Sequence, residues 1–255
     1  GLTLSEAGRI LRPAAWIVIV ASALASTLAA PAAAQPIEEP KTYAGDLWSR
    51  PRLTGDWAGY RDQLAARGIR LDVDLLATPQ GVASGGQDTG AEVLGNTEYT
   101  LNVDTDKAGL WPGGFLRVIA NTGFGASVVK DSGAVSIVNT SALLPSLSKT
   151  STGLVNATFM QFLSPKFGLL AGKVDLLDAS QGEFSGNYRT QFLNTALTIP
   201  LAGALLPLSA YGGGVVALPW EGVVLSAMAL DPSGTIMNDD VTDAFRDGVL
   251  MLGNA

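Results

Sequence analysis

The sequence predicts an all-β fold that crosses a membrane as an antiparallel β-barrel, preceded by one short helix. Three observations carry that expectation. From Gly68 onward the apolar residues recur at every second position instead of every third or fourth. The alternating runs are about 9–12 residues long, where a transmembrane strand needs 9–11 and a soluble strand about 5–6. The connections between runs alternate between long and short, the rhythm of strands that turn tightly on one side of a bilayer and loop out on the other.

Composition narrows the chemistry. The chain has 255 residues, 47% of them hydrophobic and only 15% charged, whereas a soluble domain carries roughly 25% charge. It contains no cysteine and no histidine, so disulfides, thiol nucleophiles, imidazole bases and Cys/His metal sites are excluded. The 30 glycines, with abundant Thr, Ser, Asn and Val, favour strands and turns.

The elements follow in order. Arg9 and Arg12 precede an uncharged apolar run from Ala14 to Ala30, which ends at Pro31 and Ala32-Ala33-Ala34. A basic start, an apolar middle and a small-residue cleavage site make residues 1–34 a signal peptide. A membrane-anchoring helix is the competing reading, but about 20 apolar residues are needed for a span, and this run is shorter and bounded by prolines. Removing Glu6, Arg9 and Arg12 changes the net charge from −7 to −7 − 1 = −8. An acidic exported chain lacks the basic patches of nucleic-acid binding. No later stretch is apolar enough for a membrane helix, so any membrane insertion must use strands.

Residues 35–67 read as a periplasmic linker, rich in proline and charge up to Arg52, and then one helix over Thr54–Arg67. Asp56 is the expected N-cap, Trp57, Tyr60 and Leu64 share a face, and Gly68 suits the position after the helix end. Residues 68–255 are the barrel segment. Its first run sets Ile69, Leu71, Val73, Leu75 and Ala77 against Arg70, Asp72, Asp74, Leu76 and Thr78. The second sets Thr97, Tyr99, Leu101 and Val103 against Glu98, Thr100, Asn102 and Asp104. In the third, Leu116, Val118 and Ala120 alternate with Arg117, Ile119 and Asn121. The fourth sets Val155, Ala157, Phe159 and Leu163 against Asn156, Thr158 and Met160, with Gln161 the exception on the apolar side. Weaker candidates are Phe167–Val174, Tyr211–Pro219, Val223–Leu230 and Asp247–Gly253, whose faces the pattern does not assign.

Between these eight runs lie long segments at Gln80–Leu94, Gly125–Gly153, Asp175–Ala210 and Asp231–Arg246. Thr105–Gly113, Ser164–Lys166 and Trp220–Gly222 are shorter. If the helix is periplasmic, every short turn is periplasmic too, and Trp111 and Trp220 fall where an aromatic girdle is expected. In hydrocarbon each unpaired backbone group costs several kcal/mol, so spanning strands must close on themselves. The polar positions then look inward. A lumen lined by Arg70, Asp72, Asp74, Glu98, Asn102, Asp104, Arg117 and Asn121, with Asn156 on the same kind of face, is too charged to be dry and implies a hydrated channel. Lys173 is expected in the lumen or at a strand end. The alternative is a narrow barrel whose inner charges pair off as a plug.

The residues also carry a resemblance. Leu53-Thr54-Gly55-Asp56-Trp57, with Gly59, Arg61, Leu64 and Gly68-Ile69, resembles the opening of the carbohydrate-selective porins of the OprB family. Trp111-Pro112-Gly113-Gly114 and Gly172-Lys173-Val174-Asp175, followed by Phe192-Leu193-Asn194, are similar to further blocks of that family. The resemblance implies an outer-membrane barrel of sixteen strands, of which this chain holds the N-terminal half, passing glucose-type sugars by diffusion. It implies external loops folded inward, a role for which Asp175–Ala210 is placed, with Glu183, Asn187, Tyr188, Arg189 and Gln191 as polar contacts. Carbohydrate solutes and outer-membrane lipid are the implied partners, and no cofactor or metal is expected.

Other motifs are weaker. Gly168–Lys173 is one residue short of a phosphate loop and precedes no helix. Asp231, Asp239, Asp240, Asp243 and Asp247 lack the spacing of a calcium loop and read as a solvated acidic loop. Asp72 and Asp74 could be imagined as a glycosidase pair, but charged lining is the commoner meaning of such a pattern. The second function class is a small non-conducting barrel with a structural or adhesive role, and an enzyme is third.

Overall fold

The computed structural model describes residues 17–21, 40–145, 150–177, 188–199, 206–237 and 240–254. The chain enters through turns at 43–59 and the helix α1 (Tyr60–Ala66). Eight antiparallel strands follow as a meander: β2 (Ile69–Val82), β3 (Gly90–Asp104), β4 (Gly114–Gly125), β5 (Ser151–Ser164), β6 (Phe167–Asp175), β7 (Ser209–Ala217), β8 (Leu225–Leu230) and β9 (Val249–Asn254). A further strand, β1 (Ile17–Ala21), runs parallel along β9, which gives the sheet order β1-β9-β8-β7-β6-β5-β4-β3-β2. This segment lies in the run read as a signal peptide. Its backbone pairs along the edge of β9 that faces away from β8.

All eight expected strands are present. The first two are longer than the alternation indicated, 14 residues in β2 and 15 in β3, so the expected long connection Gln80–Leu94 shrinks to residues 83–89. The other long connections all leave from the same end of the sheet, and the short turns from the opposite end. Among the described residues no helix is long and apolar enough to cross a membrane.

The register fixes the faces. Ile69 pairs with Val103, Tyr99 with Ala120, and Leu116 with Phe159, so the apolar positions of four strands share one face. This face is open: Leu71, Val73, Leu75, Val93, Tyr99 and Phe124 are all exposed, as are Phe167, Leu169, Val215, Leu225 and Met251 farther along the sheet. It is the outer face, an apolar surface suited to hydrocarbon. The inner face of β2–β5 carries the polar residues and is covered by α1 and the long loops. The inner face of β6–β9 is apolar, with Leu170, Val174, Ala210, Met228, Leu230, Leu250 and Leu252 packed together.

Two local departures have identifiable causes. The expected helix over Thr54–Arg67 is shorter than its pattern, because Trp57, Ala58 and Gly59 have positive φ (54°, 58° and 88°) and delay it to Tyr60. Gly59, not Asp56, is the N-cap. Gly68 behaves as expected, with φ 73° and its N–H donating to the Ala65 carbonyl. In β5 the register shifts at Ile119/Ala120 of β4. This bulge inserts one residue, so Val155 joins the inner cluster beside Asn156 instead of standing on the apolar outer face with Ala157.

Candidate functional site

The inner wall is built in cross-strand rows. Arg70, Asn102, Arg117 and Thr158 form one row, and Asp72, Thr100, Ile119 and Asn156 the next. Asp74, Glu98, Asn121 and Gly153 form a third. The period-2 pattern of separate strands thus converges on one polar surface. Its short-turn end holds a recess of 270 Å³ that includes Arg70, Asn102, Asp104, Arg117 and Thr158.

The turns before β2 lie against this wall. The Arg61 side chain is buried, with its guanidinium 4.2 Å from the Tyr43 ring centroid and 5.0 Å from that of Trp57. Its Nη2 donates to the Leu71 carbonyl at 3.1 Å and to the Asp72 carboxylate. Burying a cation is tolerated only with such partners. Arg52 spans two carboxylates, with Nε 3.0 Å from Asp72 Oδ1 and Nη1 2.9 Å from Asp74 Oδ1. Asp62 accepts from Thr42 Oγ1 and the Tyr43 N–H, and these bonds hold its carboxyl below the usual carboxylate range.

From the long-loop end, the β6–β7 connection reaches down to the same wall. Arg189 donates through Nη1 to Glu98 Oε1 at 2.8 Å and through Nη2 to Glu98 Oε2, a fork-to-fork pair. Nη2 also donates to the Tyr188 hydroxyl at 3.3 Å. Burial pushes the Tyr188 hydroxyl up to about 12. Burial works against the charge of Arg189, but the bonds it donates to Glu98, with the nearby Glu98 and Tyr188, outweigh it and hold the guanidinium above its ordinary value.

The loops also fasten to one another. Thr140 N–H donates to the Leu193 carbonyl at 2.7 Å, Thr195 N–H to the Ile137 carbonyl at 2.9 Å, and Asn139 Nδ2 to Gln80 Oε1 on β2 at 3.2 Å. Leu144, Leu177, Tyr188, Ile199 and Ile236 pack with Ile119 and Val155 of the wall. Below them Asn96 donates to Asn121 and to the Leu144 carbonyl. Among the described residues, the long-loop half of the inner face is therefore covered by an apolar cluster with buried Asn and Thr side chains beside it, and the polar recess lies toward the short turns.

Of the residues singled out in the sequence, Arg70, Asp72, Asp74, Glu98, Asn102, Asp104, Arg117, Asn121 and Asn156 share the inner face, and Arg189 joins them from its loop. Asn121 and Asn156 are buried under the loops. Lys173 is fully buried, with Nζ donating to the Ile236 carbonyl at 3.1 Å. Strict alternation from Leu169 and Ala171 would turn Lys173 outward. Gly172, with φ 133° and room for no Cβ (2.0 Å from the Ala157 carbonyl oxygen), is where that alternation breaks.

Glu183, Asn187 and Asp239 lie outside the described residues, and Gln191 is exposed. Asp231, Asp240 and Asp243 serve local turns and a surface ion pair with Arg246. The exception in β5, Gln161, stands on the outer face and is satisfied there: it accepts from Trp111 Nε1 at 2.8 Å and donates to the Pro112 carbonyl at 3.0 Å.

Sequence reasoning missed the wall-facing roles of Arg52 and Arg61. Arg52 sits in a Pro-rich stretch with no periodicity, and only its sign, opposite to Asp72 and Asp74, hinted at a partner. Asn96 was missed as well, although it continues the parity of Glu98 and Asn102.

No family model matches the chain. No curated protein matches it either. Among solved structures, it is similar to the high-pH structure of Pseudomonas putida OprB, with a TM-score of 0.64 and 16% identity over 78% of this chain and 50% of that one. The likeness is one of fold, and gives the eight-strand meander the architecture of part of an OprB barrel. The chain spans half the length of the protein it matches.

Proposed function

We propose that this chain forms one wall of an outer-membrane porin, which lets small hydrophilic solutes, glucose-type carbohydrates among them, diffuse through a water-filled barrel. The observation that carries this reading is the contact of Arg189 with Glu98. A loop from one end of the sheet is drawn inside and presents a charged pair on a polar wall, while the opposite face of the same strands is exposed and apolar. That division suits a barrel with lipid outside and water inside.

Among the described residues the sheet leaves an edge of β2 unpaired, and loss of residues 1–34 removes β1 from the edge of β9, so we read the barrel as closed by strands beyond these eight. The half-length match to OprB supports this view. The protein reaches the outer membrane after loss of residues 1–34. Sugar passage fits the inventory, since guanidinium and carboxylate groups can replace the hydrogen bonds a sugar gives up on partial dehydration. Weak, multiple contacts then allow release.

A second reading has its own observation. The apolar cluster of Leu144, Tyr188, Ile199 and Ile236 against Ile119 fills the long-loop half of the inner space, which would suit a closed barrel with a structural role. Reconstitution separates the two. The protein in proteoliposomes is expected to swell in isotonic glucose faster than in a trisaccharide and to conduct in planar bilayers. Absence of both swelling and conductance overturns the porin reading in favour of the closed barrel.

A further inference from the structure

Asp74 and Glu98 stand directly opposite each other on β2 and β3. Carboxylates in such positions have Cβ atoms about 5 Å apart and repel when uncompensated. Each is met by an arginine, and the two arginines arrive from opposite ends of the sheet. Arg189 comes from the β6–β7 loop, and Arg52 from the turns before α1. Arg52 also holds Asp72, whose other partner is Arg61. Among the described residues, these three carboxylates and three guanidinium groups balance within two rows of the wall. Arg52 and Asp74 are the most open of the six side chains, each 37% exposed, whereas Arg61 is 6% exposed.

We propose that Arg52 is a selectivity-determining residue of the channel: it completes, from the helix side, a constriction whose other cation is Arg189, and it sets the charge of that constriction near zero. The inference rests on the porin reading above and deepens it. The ligand class is a neutral polyhydroxylated solute. Its hydroxyls can accept from the outward N–H groups of Arg52 and donate to Asp74, while a balanced row offers small anions and cations no net attraction. Loss of Arg52 leaves one carboxylate charge in excess, and rings or clusters of carboxylates select cations. Arg61 cannot take over, because its guanidinium is fixed between Tyr43 and Trp57.

The chain has no cysteine, so Arg52→Cys provides a unique thiol. In planar bilayers under a KCl gradient, the wild-type protein is expected to show weak ion selectivity. Arg52→Cys is expected to raise the potassium-to-chloride permeability ratio by roughly three- to fivefold, the scale of one charge acting through water-rich surroundings. A cationic methanethiosulfonate should return the ratio to the wild-type value, and an anionic one should raise it further. Arg52→Gln, which keeps a donor for Asp74, should show the same shift without labelling. A conducting wild type whose ratio is unchanged in both variants and insensitive to both reagents overturns this inference alone. A wild type that does not conduct overturns it together with the porin reading.

Discussion

Arg61 is a cation held between two aromatic rings and a carboxylate, and it fastens the segment before α1 to the wall. Breaking a buried pair by removing one partner costs about 3–5 kcal/mol, most of it from the carboxylate left behind. Asp72 retains Arg52, so the lower end of that range applies. Arg61→Ala is therefore expected to release residues 40–67 and make the bonds after Lys41 and Arg52 readily cleaved by trypsin, while the strands stay protected. Unchanged cleavage would mean that the segment is held by other contacts.

Asp62 offers a milder handle on the same docking. Its folded pKa is depressed by Thr42 and Tyr43, so its contribution is fully present above the unfolded carboxylate value. It is lost as pH falls through the lower, folded value. Tryptophan fluorescence from Trp48 and Trp57 should thus report loosening of the segment only below about pH 4. In Asp62→Asn this acid-dependent step should be absent. In the proposed channel, Arg189→Ala removes the fork on Glu98 and should speed glucose entry into proteoliposomes, with a larger gain for disaccharides. A slower rate would show that Arg189 attracts solute more than it narrows the path.

At the scale of the element, the two faces of one strand demand opposite chemistry. Tyr99 and Thr100 are neighbours in β3, yet Tyr99 is 40% exposed on the apolar face and Thr100 stands between Asp72 and Ile119 on the inner one. A cation at mid-bilayer costs about 2–4 kcal/mol, whereas lumen substitutions are tolerated. Tyr99→Arg should therefore abolish the folded, heat-modifiable band on a cold gel, and Thr100→Arg should leave it. Equal assembly of the two would refute the face assignment.

These faces were legible in β2–β4 because period 2 projects directly onto a pleated strand. In β5 they were legible only in part, and in β6 the alternation was too weak to assign them. The bulge at Val155 shifts the parity of β5, while at Gly172 only Lys173 departs from a parity that Leu170 and Val174 keep, and neither feature leaves a mark on hydropathy. Gln161 is the instructive case: its polarity contradicted its face, and the contradiction resolves through Trp111, fifty residues away in sequence. The short helix was overestimated for a related reason. Apolar spacing at Trp57, Tyr60 and Leu64 is satisfied equally by a left-handed turn followed by seven helical residues.

At the scale of the molecule, the alternation of long and short connections determines which end of the sheet can fold over the wall. Loop composition does not say what each loop touches. That Tyr188 and Arg189 are drawn inside, or that Ile236 covers Lys173, depends on contacts between residues tens of positions apart. The amino-acid sequence by itself determined the eight strands of the meander and, on β2–β5, the apolar outer face and the inward polar set. Local backbone geometry and the separation of oil from water act on neighbouring residues and need no distant partner. Only the tertiary structure decided which arginine meets which carboxylate, where the inner space is filled and where it stays polar. Those outcomes depend on distances between segments that touch only after the sheet has formed.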